Sequence, residues 1–238
     1  EKVAISLAPT CFGVFDVSAQ KICGALKKLG CFYVEETAVG ALAVTNAYQK
    51  IQEEMEETCC ITSCCASVNL LIEKHFPKLI PLLIPVLTPL MVHARLLKQK
   101  YGHETKVVFI GPCLAKKIEG EEDEFIDAVL TIEELIQWIS EEHLDFDQVE
   151  SMNLDATEQS QRTYPIVGGM SSCFTKRKKN IEIVPVDGIE DCIKVLEGIE
   201  RREFENCFFE MSACHHSCIG GPAIGDKEVN IFKRKMRI

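Results

Sequence analysis

The stretch Lys106-Val107-Val108-Phe109-Ile110-Gly111-Pro112-Cys113 decides how this chain is read. Lys106 to Ile110 is a strong strand candidate, broken by Gly111-Pro112 and followed at once by a thiol. Two other strand candidates end the same way. Cys60-Ile61 runs into Thr62-Ser63-Cys64-Cys65, and Phe208-Phe209 runs through Met211-Ser212-Ala213 into Cys214-His215-His216-Ser217-Cys218. In open α/β sheets, ligands collect beyond the carboxyl ends of the strands, where the chain turns into a loop or helix. Three thiol-bearing loops at such ends can converge on one site.

Outward from these ends, strand and helix patterns alternate. In the first half, Val3 to Leu7, Cys31 to Val34 and Thr58 to Thr62 read as strands. Helical spacing runs from Ser18 to Leu29, Val39 to Met55 and Ser67 to His75. Pro77, Pro81, Pro85 and Pro89 exclude a regular helix, because each removes a backbone donor. An extended loop feeding a helix from Leu90 to Tyr101 is expected there. In the second half, Ala128 to Leu130, Ile181 to Val186 and Asn206 to Met211 read as strands. Ile132 to Glu141, capped by Thr131, and Ile189 to Arg201 read as helices. Such alternation indicates βαβ units and parallel sheets. The charge runs Glu119 to Glu124 and Lys176 to Lys179 are expected to be solvated loops.

Composition sets bounds. The 238 residues carry 26 Lys and Arg against 36 Asp and Glu, a net charge of −10. That balance argues against a nucleic-acid groove, which calls for a basic face. One large domain or two small lobes suit this length. The longest apolar run, Leu79 to Val92, is interrupted by prolines and falls short of the ~20 residues a spanning helix needs, so no membrane segment is expected. No signal-peptide pattern opens the chain, and a cytoplasmic location is expected. The first residue is Glu1 rather than Met, so an N-terminal segment removed by processing is expected.

Thirteen cysteines stand out. A disulfide framework suits short secreted chains without a core; this chain is long, lacks a signal and has an odd count. Cys11, Cys23, Cys31, Cys173, Cys192 and Cys207 lie alone in apolar or mixed stretches and read as packed thiols. The others cluster near the three strand ends. Only Cys214-x-x-x-Cys218 has the paired spacing of a zinc site. A cubane iron–sulfur cluster takes four thiolates that can lie far apart in sequence. Spacing alone leaves both open.

The residues around the thiols carry a resemblance. Thr62-Ser63-Cys64-Cys65, Pro112-Cys113-Leu114-Ala115-Lys116-Lys117-Ile118-Glu119 and Glu210-Met211-Ser212-Ala213-Cys214-x-x-x-Cys218-x-Gly220-Gly221 resemble three signature motifs of the [FeFe]-hydrogenase catalytic domain, the C-terminal family of the iron-only hydrogenase large subunit. Ala8-Pro9-Thr10, Val129-Leu130-Thr131-x-x-Glu134-Leu135 and Gly168-Gly169-Met170 extend the resemblance from about Lys2 to Pro222. It implies an α/β fold of two lobes, 1–103 and 104–238, each a mainly parallel four-stranded sheet flanked by helices, with the cluster site between them. It also implies an H-cluster: a [4Fe-4S] cluster joined through one cysteine sulfur to a diiron subcluster with CO, cyanide and azadithiolate ligands. Cys65, Cys113, Cys214 and Cys218 match the cubane ligands, Cys218 also bridging to the diiron unit. Cys64 matches the thiol that passes protons, and Lys116 the lysine that donates to one cyanide. Backbone near Ala8, Pro9 and Thr10 matches the donor to the other cyanide. Pro112 and Ser212 fall beside ligands, Tyr164 and Met170 where the family walls the pocket, and Glu119 where an acid follows the lysine.

Departures from the family are as informative. Gly111 and Ser212 stand where Met is usual, and Ala66 and Val68 where Pro and Trp are, which removes apolar volume. The Glu and Ser that lead protons away from the relay thiol fall at Asn46, Ala47 or Lys50 and at Ile84, which cannot do that work. This pattern resembles the sensory branch of the family. The resemblance implies reversible H2 oxidation and proton reduction by an iron hydrogenase, slow and suited to H2 sensing. A sensor without turnover and a [4Fe-4S] scaffold lacking the diiron unit are the alternatives. The implied partners are H2 and protons, a redox partner carrying iron–sulfur clusters on a ferredoxin-like domain or separate chain, and hydrogenase maturation proteins. His215 and His216 replace the usual Pro and Gly; they read as solvated or bonded to cluster sulfurs, with a substitute proton relay as the sharper reading.

Overall fold

The computed structural model describes residues 1–56, 58–225 and 229–238. Its first half runs β1 (Val3–Leu7), α1 (Thr10–Val14), α2 (Ala19–Lys28), β2 (Tyr33–Glu36), α3 (Ala38–Glu54), β3 (Cys60–Ile61), α4 (Ala66–His75) and α5 (Pro89–Tyr101). Then follow β4 (Lys106–Gly111), α6 (Ala115–Glu122), β5 (Ala128–Thr131), α7 (Ile132–Glu141), α8 (Gly169–Ser172), β6 (Glu182–Asp187), α9 (Ile189–Glu200), β7 (Cys207–Ser212) and α10 (Ile231–Arg237). Local chemistry explains several boundaries. Ser18 accepts the Lys21 N–H at 3.3 Å to start α2. Thr131 and Glu134 form a reciprocal capping box at α7. α5 opens on Pro89, whose missing N–H has no intrahelical partner to lose at that position.

Two parallel sheets result. One has the order β2-β1-β4-β5, the other β3-β7-β6. Alternation along β1 sends Ile5 and Leu7 to a core with Ile22 and Leu26 of α2 and Leu135 of α7. Ala4 and Ala8 pack on Leu90, Ala94 and Leu97 of α5. The other sheet is covered likewise. Ile61 and Phe209 meet Ile72 of α4 and Leu196 of α9, while Phe208 meets Val44 and Tyr48 of α3. Each fully buried Leu, Ile or Phe contributes about 1.5–3 kcal/mol of burial, so both sheets are held from both faces.

The structure departs from the sequence reading in four places. Among the described residues the second sheet has three strands, where four are expected. A single bridge, Ile61 to Leu83, stands where a fourth would pair. Pro81 and Pro85 flank it and have no N–H to continue the ladder. The proline-rich stretch forms a 3-10 helix over Pro77–Leu82 instead of an extended loop. Glu119 to Glu122 lie on α6 rather than in a loop. Residues 1–103 and 104–238 each supply strands to both sheets, so the lobes interleave along the chain.

Candidate metal centre

Parallel strands point their carboxyl ends the same way, and here five of those ends open onto one cavity, with Thr37 after β2 in its lining. Pro9 and Thr10 follow β1, Cys64 and Cys65 follow β3, Pro112, Cys113 and Lys116 follow β4, and Ser212 and Cys218 end or follow β7; all line it. Ala8, Tyr164 and Met170 line the same cavity. Cys214 and Glu119 are not among the lining residues.

Four of the thiols form one group. Cys65 holds the cap position of α4, and Cys214 and Cys218 bracket the turn from β7 into the 3-10 turn Ser217–Gly220. Burial pushes the Cys218 thiol up, and Cys65, Cys113 and Cys214 beside it add to that. Burial also pushes Cys214 up to about 11, with Cys65 and Cys113 contributing. Cys65 is raised by burial, while backbone N–H groups of Ala213 and Val68 and the Lys116 cation pull the other way.

Such a group cannot hold several thiolates in an apolar wall without a compensating cation. Four thiols, one to each iron, are the donor set a cubane takes. The donor set fits the cubane.

Lys116 supplies a buried charge. Its Nζ donates to Glu119 at 2.6 Å, one turn along α6, and Glu119 also accepts the Thr88 hydroxyl at 2.9 Å. Burial alone would lower the lysine, but Glu119, Cys113 and Cys65 outweigh it and raise the net value. The ammonium therefore persists at neutral pH inside the cavity.

Cys64 faces a closed hydrogen-bond chain. Its Sγ donates to Tyr48 Oη at 3.5 Å, and that hydroxyl pairs with Ser63 Oγ at 2.8 Å. Ser63 Oγ in turn donates to the Val86 carbonyl at 2.5 Å. A backbone carbonyl cannot pass a proton on. Burial pushes the Cys64 thiol up to about 12, the Tyr48 hydrogen bond opposing and the Glu210 carboxylate adding.

The remaining walls explain several sequence departures. A side chain at Gly111 would come within 2.5 Å of the Phe109 ring, so the glycine makes room for that ring, which lines the cavity. Ser212 Oγ pairs with Ser217 Oγ at 2.9 Å. Any side chain at Gly169 would lie 1.7 Å from the Thr163 carbonyl, so only glycine lets α8 bring Met170 to the wall. Sequence reading misses Glu210. Its buried carboxylate accepts the Met170 and Ser171 N–H groups at 3.0 and 2.9 Å and so fixes α8. A lone acid inside Phe208-Phe209-Glu210-Met211 is the available signal.

The solvated reading of His215 and His216 holds against the relay reading, and the packed reading of Cys173 needs correction. His215 and His216 are exposed and do not line the cavity. Left-handed backbone at His216 and Ser217, φ 63° and 61°, turns that loop outward, and His215 Nε2 sits 3.4 Å from Glu190. Cys173 is half-buried rather than core, with its Sγ 3.2 Å from the Gly169 carbonyl.

Residues 1–222 match the sequence family described as the iron-only hydrogenase large subunit, C-terminal domain. No curated protein sequence matches the chain. Solved structures share its fold over its whole length. One concerns [FeFe]-hydrogenase oxygen inactivation through degradation of the two-iron subcluster, with a TM-score of 0.77, 16% identity and 83% of that chain covered. A second concerns stepwise H-cluster assembly in an [FeFe]-hydrogenase, at TM-score 0.74, 16% identity and 83% coverage. A third is a glutamate-to-glutamine variant of the Chlamydomonas reinhardtii [FeFe]-hydrogenase, at TM-score 0.75 with the same 16% identity and 83% coverage. Among the described residues no helix is long and apolar enough to cross a membrane.

Proposed function

The chain belongs to the C-terminal domain family of the iron-only hydrogenase large subunit, and we propose that it is an H-cluster protein acting on H2 and protons, with slow turnover suited to H2 sensing. The observation that carries this reading is the crowding of Cys65, Cys113, Cys214 and Cys218 beside the buried Lys116 cation. These four thiols would hold the [4Fe-4S] cluster, with Cys218 also linking the diiron subcluster. When bound, the H-cluster supplies reversible splitting of H2 into protons and electrons.

The chain's own residues do the rest. Lys116, held by Glu119, keeps a donor charge in the cavity for an anionic ligand such as cyanide. Backbone at Ala8, Pro9 and Thr10, with Pro112 and Ser212, shapes the cavity wall, and Tyr164 and Met170 exclude water from it. Cys64 holds a proton on Sγ through neutral pH. Because its hydrogen-bond chain stops at the Val86 carbonyl, proton departure on that side is slow, which supports sensing over rapid production. Electrons pass to an iron–sulfur redox partner, and maturation proteins deliver the diiron unit.

Infrared spectroscopy of the matured protein tests the reading. CO and cyanide bands that shift under H2 are expected. A protein with a full complement of cubane iron that shows no such bands after maturation would overturn it.

A further inference from the structure

Thr37 also lines the cavity, and from it a continuous hydrogen-bonded file runs through the core. Thr37 Oγ1 lies 2.7 Å from Ser6 Oγ, which lies 2.8 Å from His93 Nδ1. His93 Nε2 is 3.2 Å from Glu35 Oε2, and Glu35 Oε1 accepts the Tyr101 hydroxyl at 2.5 Å and the Lys100 ammonium at 2.6 Å. Ser6 and His93 have no exposed surface, and Glu35 is 2% exposed. Tyr101 is half-buried and Lys100 is 49% exposed, so the file ends at the surface.

Four elements build it. Ser6 lies on the face of β1 that meets α5, Glu35 and Thr37 end β2 and begin α3, and His93, Lys100 and Tyr101 sit on α5. A side chain at Gly40 would fall 2.6 Å from the His93 Cβ, so this glycine is what lets α3 close on the imidazole. The charged and titratable groups facing the imidazole are Glu35 on β2 and, through it, Lys100 and Tyr101. β1 and α3 bring only hydroxyls and glycine.

We propose that Thr37, Ser6, His93, Glu35 and Tyr101 carry protons between the cavity and solvent, replacing the exit the Cys64 side lacks. This rests on the proposed H2 function. Donor order follows from the partners. Glu35 is an anion that only accepts, so His93 carries its hydrogen on Nε2, and Nδ1 accepts from Ser6, which accepts from Thr37. A proton taken up at Thr37 Oγ1 displaces that hydroxyl's own proton to Ser6, and Ser6 gives its proton to His93 Nδ1. The Nε2 proton then moves to Glu35 Oε2. The protonated Glu35 carboxyl then turns its hydrogen toward Tyr101 Oη, which takes it while releasing its own proton to water. One proton enters and one leaves; His93 is left with its hydrogen on Nδ1, and a turn of the imidazole with rotation of the Ser6 and Thr37 hydroxyls restores the starting arrangement. Lys100 has no lone pair while protonated, so it holds Glu35 rather than passing the proton. His93 and its neighbours are positioning and relay groups and touch no reacting atom.

Two measurements test this. In the cofactor-free protein, NMR of the His93 Nε2 proton in deuterated solvent should show exchange slowed about tenfold in Tyr101→Phe. A network that serves only packing is loosened by that change; unchanged or faster exchange would overturn the relay. In the matured protein, His93→Phe should lower H2 turnover on the order of 10²-fold and shift its pH profile, with CO and cyanide bands unchanged. If His93→Phe does not fold, Thr37→Val cuts the first link, leaves the Glu35 ion pair intact and should give the same loss. Wild-type rates and pH profile in a variant with normal bands would overturn the relay. Missing bands in the unaltered protein would instead overturn the H2 function, and the exchange measurement still decides the relay.

Discussion

The Cys64 thiol donates to the Tyr48 hydroxyl at 3.5 Å, and Tyr48 also accepts the Ser63 N–H at 2.9 Å. One fully buried phenol thus serves the thiol beside the candidate cluster and the backbone that precedes it. Tyr48→Phe leaves the buried Ser63 N–H without its acceptor. A loss of about 1–3 kcal/mol in stability is expected, read by denaturant unfolding. Cys64→Ala should keep the cubane iron, measured as iron per chain, because Cys64 is not one of the four proposed donors.

Ligand loss gives a direct test of the thiol group. Protein reconstituted with iron and sulfide should bind iron with the charge-transfer absorption of a cubane. Cys113→Ala and Cys214→Ala should each lose most of that iron, whereas Cys11→Ala, at a thiol buried in the core of the first sheet, should retain it. Full iron retention in Cys113→Ala would remove it from the ligand set.

Lys116→Ala leaves Glu119 as a poorly exposed carboxylate without its cation. Breaking a buried pair from one side costs about 3–5 kcal/mol, and the diiron unit should be retained several-fold less well. Lys116→Ala with Glu119→Gln should recover much of the stability but none of the diiron retention. Infrared band intensity per cubane separates the two effects.

Glu35 sets a pH dependence. Burial would raise its pKa, but hydrogen bonds from His93, Lys100 and Tyr101 outweigh that and bring it from 4.5 down to about 2. The folded value lies below the unfolded one, so its contribution is complete above pH 4.5 and is lost as pH falls toward 2. That contribution is on the order of 3 kcal/mol. Glu35→Gln should lose it at neutral pH and show a flatter stability curve across that acid window, measured by denaturant unfolding at stepped pH.

Local signals in the sequence determined a good deal. Strand and helix alternated from β1 to β7 because period and punctuation are written residue by residue, and the Thr131 cap is a local hydrogen bond. Cysteines after β3, β4 and β7 followed from the rule that parallel strands present their carboxyl ends together. Tertiary structure decided the rest. Pairing of β3 with β7 puts Ile61 beside Phe209, a register no local pattern encodes. The outward turn of His215 and His216 depends on left-handed backbone and on Asp187, which accepts the His216 N–H at 2.7 Å. Ser6 and His93 are 87 residues apart in sequence, and their hydroxyl and imidazole became neighbours only when α5 closed over β1. The physical reason is common to all three: such contacts form between segments whose own preferences are satisfied either way, so the whole packed chain selects among them.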